Sequence, residues 1–192
     1  HTVNKKFWVE RFKKDIIHFF LFKKIRLKKI IHIFKYLDYL IFFRNQNKHD
    51  ILKIGTEDVY STAISINKIL ENHQNVILKV DIEGDEYKVL NQILDNSNKI
   101  NTLIIEFHDI HKNIDKIEGF IDRSKELKLI HIHANNYAGL NEDGDPNVIE
   151  LTFTNINKNE LSLVKTDKSF PVEQLDYKNI NRIEDIYLKF ND

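Results

Sequence analysis

The sequence of 192 residues contains no cysteine and no methionine. Without cysteine, a disulfide framework and a cysteine-ligated metal site are both excluded. The chain starts at His1 rather than methionine, so we expect a fragment of a longer protein. Glycine is scarce, with 5 residues, and none of them forms a GxGxG cluster. The longest uncharged apolar run near the start, residues 16–22, is too short to span a bilayer.

The composition, 42% hydrophobic and 30% charged, predicts one globular domain over residues 1–192. The net charge of zero hides an asymmetry. Residues 1–50 hold 13 Lys and Arg against 4 Asp and Glu, and the remainder carries the opposite excess. We therefore interpret residues 1–48 as a basic helical insertion or arm. Residues 49–192 are predicted to form an α/β core with a C-terminal tail. This arm could make peripheral contact with a membrane. The simpler interpretation is that the aliphatic parts of its lysine side chains cover the outer faces of helices. No motif indicates a nucleic-acid partner.

Apolar spacing predicts alternating helices and strands. Helices between strands imply parallel pairing, whereas a bare loop before the last strand implies an antiparallel hairpin. We therefore predict an α/β sheet in which 76–80, 102–107 and 129–133 are neighbouring parallel strands, with 148–154 as an antiparallel edge strand. The remaining predicted elements are a strand at 49–55, helices at 65–72, 85–94 and 116–127, two helices within 7–43, and a tail at 161–190 with one weak strand at 161–164.

Titratable residues stand in pairs, two positions apart, at the ends of the three strongest predicted strands. Residues two apart on a strand point to the same side, and open α/β sheets bind ligands at the carboxyl ends of their strands. These residues are therefore candidates for one active site. The pairs are Asp81 and Glu83, Glu106 and His108, and His131 and His133.

Each candidate also has a structural interpretation. Asp81 could be the N-cap of the helix that follows, and Glu83 a charge favoured by the amino end of that helix. Asp85 and Glu86 are better explained as first-turn helix charges. A lone histidine is more often structural than catalytic, and we assign a structural role to His131. Two further positions are Gly84, for the tight turn, and Glu150, as a weaker site candidate.

Four motifs, in this order, resemble the FkbM family of S-adenosylmethionine-dependent methyltransferases. They are LKVDIEGDEYKVL, LIIEFH, HIHANN and GDPNVIELTF, and the tail FPVEQLDYKN continues the likeness. The resemblance covers roughly residues 49–190, and it is to a branch linked to sugar and polysaccharide modification. It implies a Rossmann-like class I methyltransferase sheet, mostly parallel with an antiparallel C-terminal edge strand and incomplete at the amino end.

The resemblance implies a cytoplasmic enzyme that moves a methyl group from S-adenosyl-L-methionine to a hydroxyl, on a small molecule or a surface glycan. Asp81, Glu106 and His108 would be catalytic, and Asp81 would also lie beside the cofactor. The substrate would be bound by Glu83, His133, Asn135 and Asn136. Asn135 and Asn136 have an alternative role, since asparagine commonly shapes loops.

The family's Gly-rich loop after the first strand and the acidic residue that ends the second are both missing from this chain. His1-Thr2-Val3 looks like the segment that follows the second strand in the family, so we expect the missing part upstream and the chain alone to be inactive. Two other functions stay open. One is a metal-dependent enzyme built on Asp81, Glu83, Glu106, His108 and His133. The other is a truncated, non-catalytic binding module.

We predict that residues 1–192 alone bind S-adenosylmethionine weakly or not at all, because they lack the glycine-rich turn and its acidic partner. Titration calorimetry of the purified chain measures this. Binding with a micromolar Kd, about −8 kcal/mol, would contradict the expectation that part of the cofactor site lies upstream of residue 1.

Overall fold

The computed structural model describes residues 52–58, 63–159 and 169–188, and the single positions 10, 13, 14, 37 and 41. Contacts divide the chain into two units, His1–Leu52 and Lys53–Asp192. The helices predicted within 7–43 and the weak strand at 161–164 lie outside the described residues, apart from those single positions. The single-domain organisation therefore stays a prediction.

The described part of the second unit is a mixed α/β fold in which strands and helices largely alternate. The strands are β1 (Lys53–Gly55), β2 (Ala63–Ser65), β3 (Val76–Val80), β4 (Ile100–His108), β5 (Leu127–Ala134) and β6 (Val148–Asn155). The helices are α1 (Ile66–Ile69), α2 (Glu86–Asp95), α3 (Ile110–Arg123) and α4 (Ile156–Asn159), with a 3-10 turn at Ser97–Lys99.

The main sheet of the described residues has the strand order β3-β4-β6-β5. Strands β3 and β4 pair in parallel, as predicted. The hairpin of β5 and β6 is antiparallel, also as predicted. The prediction that β5 lies beside β4, with the antiparallel strand at the edge, is wrong. Strand β6 lies between β4 and β5 and is antiparallel to both.

The side chains of β6 explain why it takes an inner position. Leu151 and Phe153 are almost completely buried, and Val148 and Ile149 nearly so. Strand β5 instead exposes Leu129 and Ile130, beside an irregularity in its register, which suits an edge strand. A hairpin pattern in the sequence specifies that β5 and β6 pair, but not which of them meets β4.

Strand β4 separates the core from a polar face. Leu103, Ile105 and Phe107 are fully buried, whereas the alternating Glu106 and His108 are only partly buried. Helices α2 and α3 cover the apolar face. The ring of Tyr87 in α2 lies 5.5 Å from that of Phe107, and the ring of Phe120 in α3 lies 5.4 Å from that of Phe153. Burial of one such side chain stabilises the fold by about 1.5–3 kcal/mol.

Helix α3 lies earlier in the chain than its predicted span, 116–127. Strand β4 ends at a left-handed residue, Asp109, with φ of 51°, and the helix starts directly at Ile110. Its end is set by Ser124, whose backbone N–H bonds to the Phe120 carbonyl and whose hydroxyl donates to the Leu127 carbonyl at 2.7 Å. The predicted cap of the earlier helix, Ser65, is confirmed, since its hydroxyl accepts the Lys68 N–H at 3.1 Å.

Gln92 of α2 holds the small parallel sheet of β1 and β2 to the core. Its side chain is only 8% exposed. The amide oxygen accepts the Ile66 N–H at 2.8 Å, and the amide nitrogen donates to the carbonyls of Gly55 and Thr56 at 3.3 and 3.2 Å. One side chain therefore satisfies backbone groups from β1, its following turn and α1.

We predict that Gln92→Met lowers the free energy of unfolding by about 1–3 kcal/mol, because similar volume is kept while buried backbone groups lose their partners. Urea unfolding followed by circular dichroism measures the change. Glu118→Met, at an exposed position of α3, is the control and should change stability by less than about 0.5 kcal/mol. Equal effects of the two variants would contradict the proposed linking role.

Candidate functional site

The parallel pairing of β3 and β4 sets two carboxylates side by side. Val80 of β3 lies opposite Ile105 of β4. Asp81 is the residue after Val80, and Glu106 is the residue after Ile105. Neighbouring strands are about 4.8 Å apart. Asp81 is exposed, whereas Glu106 is partly buried. The carboxyl ends of these strands therefore form an acidic edge, defined here by Asp81 and Glu106.

The turn after β3 has an unusual backbone. Glu83 and Gly84 both have positive φ, 57° and 101°, and glycine adopts such values at little cost. Nothing lies within 4 Å of a Cβ built on Gly84, so the turn needs the glycine for its dihedral angle rather than for space. Helix α2 has Asp85 as its N-cap residue. Asp81 is thus not the cap of this helix, and its carboxylate is free of that role.

Across the sheet, a row of polar side chains continues from the acidic edge. Glu106 lies opposite Glu150 of β6, and Glu150 lies opposite His133 of β5. The side chain of Asn135 donates to Glu106 Oε1 at 2.8 Å and accepts the Tyr137 N–H at 3.0 Å. Since β6 intervenes, His133 lies about 10 Å of sheet width from Glu106. The structure brings Asn135 to Glu106 and sets His133 apart.

Lys79 contributes a cation to this polar face. Its Nζ donates to Glu150 Oε2 at 2.7 Å. Burial is the largest influence and lowers the pKa of Lys79, but the hydrogen bond and charge of Glu150, then the charges of Glu106 and Asp81, outweigh it. The pKa of Lys79 is therefore raised. Asp81 and Glu106 are both close enough to act on the same ammonium group.

His108, the last residue of β4, contacts the first turn of α2. Its Nδ1 lies 2.7 Å from Glu86 Oε1, and its Nε2 lies 3.8 Å from Glu83 Oε2. Glu86 is fully buried, and its Oε1 also accepts the Gly84 N–H at 3.1 Å. Glu83 is largely exposed. The turn thus brings together Glu83 and His108, two site candidates that come from different predicted pairs.

Tyr87 fixes the end of β4 from the helix side. Its hydroxyl donates to the His108 carbonyl at 2.6 Å. Burial, followed by the charges of Glu86 and Asp109, raises the pKa of Tyr87, and a hydrogen bond to Asn113 opposes the change. The phenol therefore keeps its proton at physiological pH and remains a donor.

The remaining candidates on β5 face the C-terminal segment 169–188. His131 Nε2 lies 2.7 Å from Asp176 Oδ1, and His133 Nε2 lies 3.7 Å from Asp185 Oδ1. Asn136 is 2% exposed, and its amide donates to the carbonyls of Ile180 and Ile183. These contacts hold the C-terminal segment on the sheet, so Asn136 and His131 are occupied within the chain.

Comparison with known proteins then identifies the family. A model of the methyltransferase FkbM domain matches residues 35–160. The chain belongs to the FkbM methyltransferase family. No curated protein and no solved structure matches the chain. The match contains every site residue predicted above, but not the C-terminal segment that was included in the resemblance.

Within the described parts of this FkbM domain, no three side chains of His, Cys, Asp or Glu are arranged to hold a metal ion. The five residues of the metal hypothesis divide instead into an acidic edge, the contacts of His108, and a separate His133. The geometry therefore gives the metal-dependent alternative no support. In the same described segments, no helix is long and apolar enough to cross a membrane.

The sequence interpretation missed two residues of this FkbM site. Glu86 was read as a first-turn helix charge, and it does lie in the first turn of α2, but it is buried against His108. Lys79 was read only as part of a strand. Its signal was its position two residues before Asp81, on the same side of β3. Glu86 had no such signal, because its burial depends on where β4 ends.

We predict that Glu150→Gln lowers the pKa of Lys79. Burial lowers this pKa, and the substitution removes the negative charge of Glu150, which raises it. NMR titration of the Lys79 ε-methylene group measures it, with Glu118→Gln on the exposed face of α3 as control. A raised pKa stabilises the folded chain below the ordinary lysine value of about 10.4. That contribution is lost as pH rises through the folded-state pKa of Lys79. An unchanged Lys79 titration in Glu150→Gln would contradict the assigned pairing.

Proposed function

We propose that the FkbM domain transfers a methyl group from S-adenosylmethionine to a hydroxyl oxygen on a sugar of a surface glycan. The domain would have a Rossmann-like sheet, in a cytoplasmic protein. Membership of the family supports methyl transfer in general. The observation that carries the finer proposal is the acidic edge, where Asp81 and Glu106 follow the paired residues Val80 and Ile105 toward the carboxyl ends of two parallel strands.

The charge of this edge suits the reaction. A carboxylate accepts a hydrogen bond from a hydroxyl, and it also stabilises a positive charge nearby. Asp81 is exposed and is not a helix cap, so its carboxylate is available to a ligand. Glu106 is oriented by the amide of Asn135. The pair can hold an acceptor hydroxyl while Asn135 keeps Glu106 in one orientation.

The described residues fit one part of the cofactor. S-adenosylmethionine supplies a methyl group on a positively charged sulfur, and the acidic edge offers negative charge where that group would lie. The glycines of the chain, at 55, 84, 119, 139 and 144, form no cluster that would hold the methionine end. We assign Asp81 to the methyl end of the cofactor and assign no residue to its other end.

In this proposal the chain's own residues align the acceptor and take its proton. Alignment of two reactants supplies a large share of enzymatic rate enhancement. Asp81 orients the hydroxyl, and Glu106 or His108 accepts the proton, a role worth about 10²–10⁴-fold in rate. Glu83 and Asn135 lie beside these groups and contact the acceptor. His133 would contact only a larger substrate that reaches across β6. Asn136 is left out of the substrate site, because it is buried and bonded to the C-terminal segment.

We predict that Asp81→Asn in the full-length protein lowers the rate of methyl transfer by about 10²–10⁴-fold, because the amide keeps the shape but loses the charge. The assay follows labelled methyl groups from S-adenosylmethionine to a panel of monosaccharide methyl glycosides. Melting temperature should change little, since Asp81 is exposed and caps no helix.

Asp115→Asn, on an exposed turn of α3, is the matched control and should keep full activity. Near-normal turnover of Asp81→Asn at saturating cofactor and acceptor would remove Asp81 from the mechanism. If a chelator abolished wild-type transfer and added divalent ion restored it, the metal-dependent alternative would replace this one. A wild-type protein that transfers no methyl group to any hydroxyl would favour the binding-module alternative.

A further inference from the structure

Glu86 is a charged side chain buried without full compensation. It is 0% exposed, and among the described residues its Oε2 is buried with no hydrogen-bond partner. Its Oε1 is engaged by the Gly84 N–H and by His108 Nδ1. Burial of a carboxylate is costly unless it is paired. The Glu86 carboxylate is therefore buried with both of these hydrogen bonds on Oε1, and one of those two bonds is to the imidazole of His108.

The contact with Glu86 determines which nitrogen of His108 carries the proton. A carboxylate oxygen accepts hydrogen bonds, so Nδ1 at 2.7 Å must be the donor. In a neutral imidazole the other nitrogen, Nε2, is then an acceptor. Nε2 is 3.8 Å from Glu83 Oε2, beyond direct hydrogen-bond length, and the His108 side chain is 21% exposed. The unprotonated nitrogen is therefore the one on the side of the exposed Glu83 carboxylate.

The surroundings hold His108 in this orientation. Tyr87, the residue after Glu86, donates its hydroxyl to the His108 carbonyl at 2.6 Å, so helix and strand end are joined through both the side chain and the backbone of His108. Glu86 lies in the first turn of α2, where the helix dipole favours a negative charge. The imidazole is thus tied to a rigid element rather than to the exposed turn at Glu83.

We propose that Glu86 is a positioning residue that fixes the tautomer of His108 and thereby makes its Nε2 the general base of the site. The inference rests on the proposed function. As the O–CH₃ bond forms and the S–CH₃ bond breaks, sulfur keeps that electron pair and the hydroxyl proton passes to Nε2. The positive imidazole that results is stabilised by the Glu86 carboxylate at Nδ1. This assigns the proton to His108 and leaves Asp81 and Glu106 to orient the acceptor.

The direct test is nitrogen NMR of His108 in residues 1–192, which needs neither cofactor nor acceptor. We expect a protonated Nδ1 and an unprotonated Nε2 in the wild-type chain at neutral pH. Glu86→Gln should populate the other tautomer, because an amide can donate to Nδ1 as well as accept from it. A wild-type chain with Nε2 protonated would overturn the inference, whether or not Glu86→Gln folds.

The activity test uses the full-length protein with S-adenosylmethionine and the methyl glycosides. Glu86→Gln should lower kcat on the order of 10²-fold with little change in KM, because the base is misdirected but binding groups remain. In a His108→Gln background the same change should cost nothing further, since both act through one group. Additive losses from Glu86→Gln and His108→Gln would show that Glu86 has a separate, merely structural role.

Glu126→Gln is the matched control. Glu126 also has a buried Oε2 without a hydrogen-bond partner in the described part of the chain, but it precedes β5 at the opposite end of the strand from His133. It should alter stability only and leave kcat and the His108 tautomer unchanged. Failure of the proposed function is separately visible, as a wild-type protein with the expected His108 tautomer but no methyl transfer. The expected tautomer together with an unchanged kcat in Glu86→Gln would overturn the positioning role while methyl transfer stands.

Discussion

The pairing of β4 along both of its edges is the constraint on which the rest of the described fold depends. It joins β3 in parallel and β6 in antiparallel register. Its odd-numbered side chains, Leu103 to Phe107, are fully buried under α2 and α3, and each contributes about 1.5–3 kcal/mol through burial. A slip by one residue would turn these side chains outward and bury Glu106. Hydrophobic burial therefore sets the register, and the register sets where Glu106 and His108 lie.

On the polar face that results, the ammonium group of Lys79 is shared among three carboxylates. It pairs directly with Glu150 and feels the charges of Asp81 and Glu106. Among the described residues of this face, Lys79 alone cannot neutralise all three, so the edge has a negative character that suits a hydroxyl donor or a cation. Glu86 extends the same arrangement beneath the surface. Its Oε1 lies 2.7 Å from His108 Nδ1, so its charge acts directly on that imidazole.

Strand β5 shows a different use of histidine. His131 and His133 both face aspartates of the C-terminal segment, Asp176 and Asp185. Asn136 adds hydrogen bonds to backbone carbonyls of the same segment. The segment thus pairs the polar side chains of the edge strand and shields part of it, which is one way in which proteins protect sheet edges. His131 is hydrogen-bonded to this segment and therefore serves attachment, whereas His133 lies 3.7 Å from Asp185 Oδ1, beyond direct hydrogen-bond length.

Local pattern determined much of this protein. Alternation and helical spacing predicted the parallel pair β3 and β4 and the hairpin of β5 and β6, because these depend on residues near one another in sequence or on the helix between two strands. Four ordered motifs were enough to indicate the FkbM family. The strand ends also identified Asp81, Glu106 and His108 as candidates, since an ionisable residue after an apolar run is visible without coordinates.

Only the tertiary structure decided which strands are neighbours and which charges are buried. The insertion of β6 between β4 and β5 depends on a contact between distant segments, and a hairpin pattern is the same whichever strand lies inside. That insertion moved His133 away from Glu106. The role of Glu86 was equally hidden, because a first-turn glutamate is ordinarily solvated. It is buried here only because β4 ends at His108 beneath the start of α2, and sequence spacing carries no information about that meeting point.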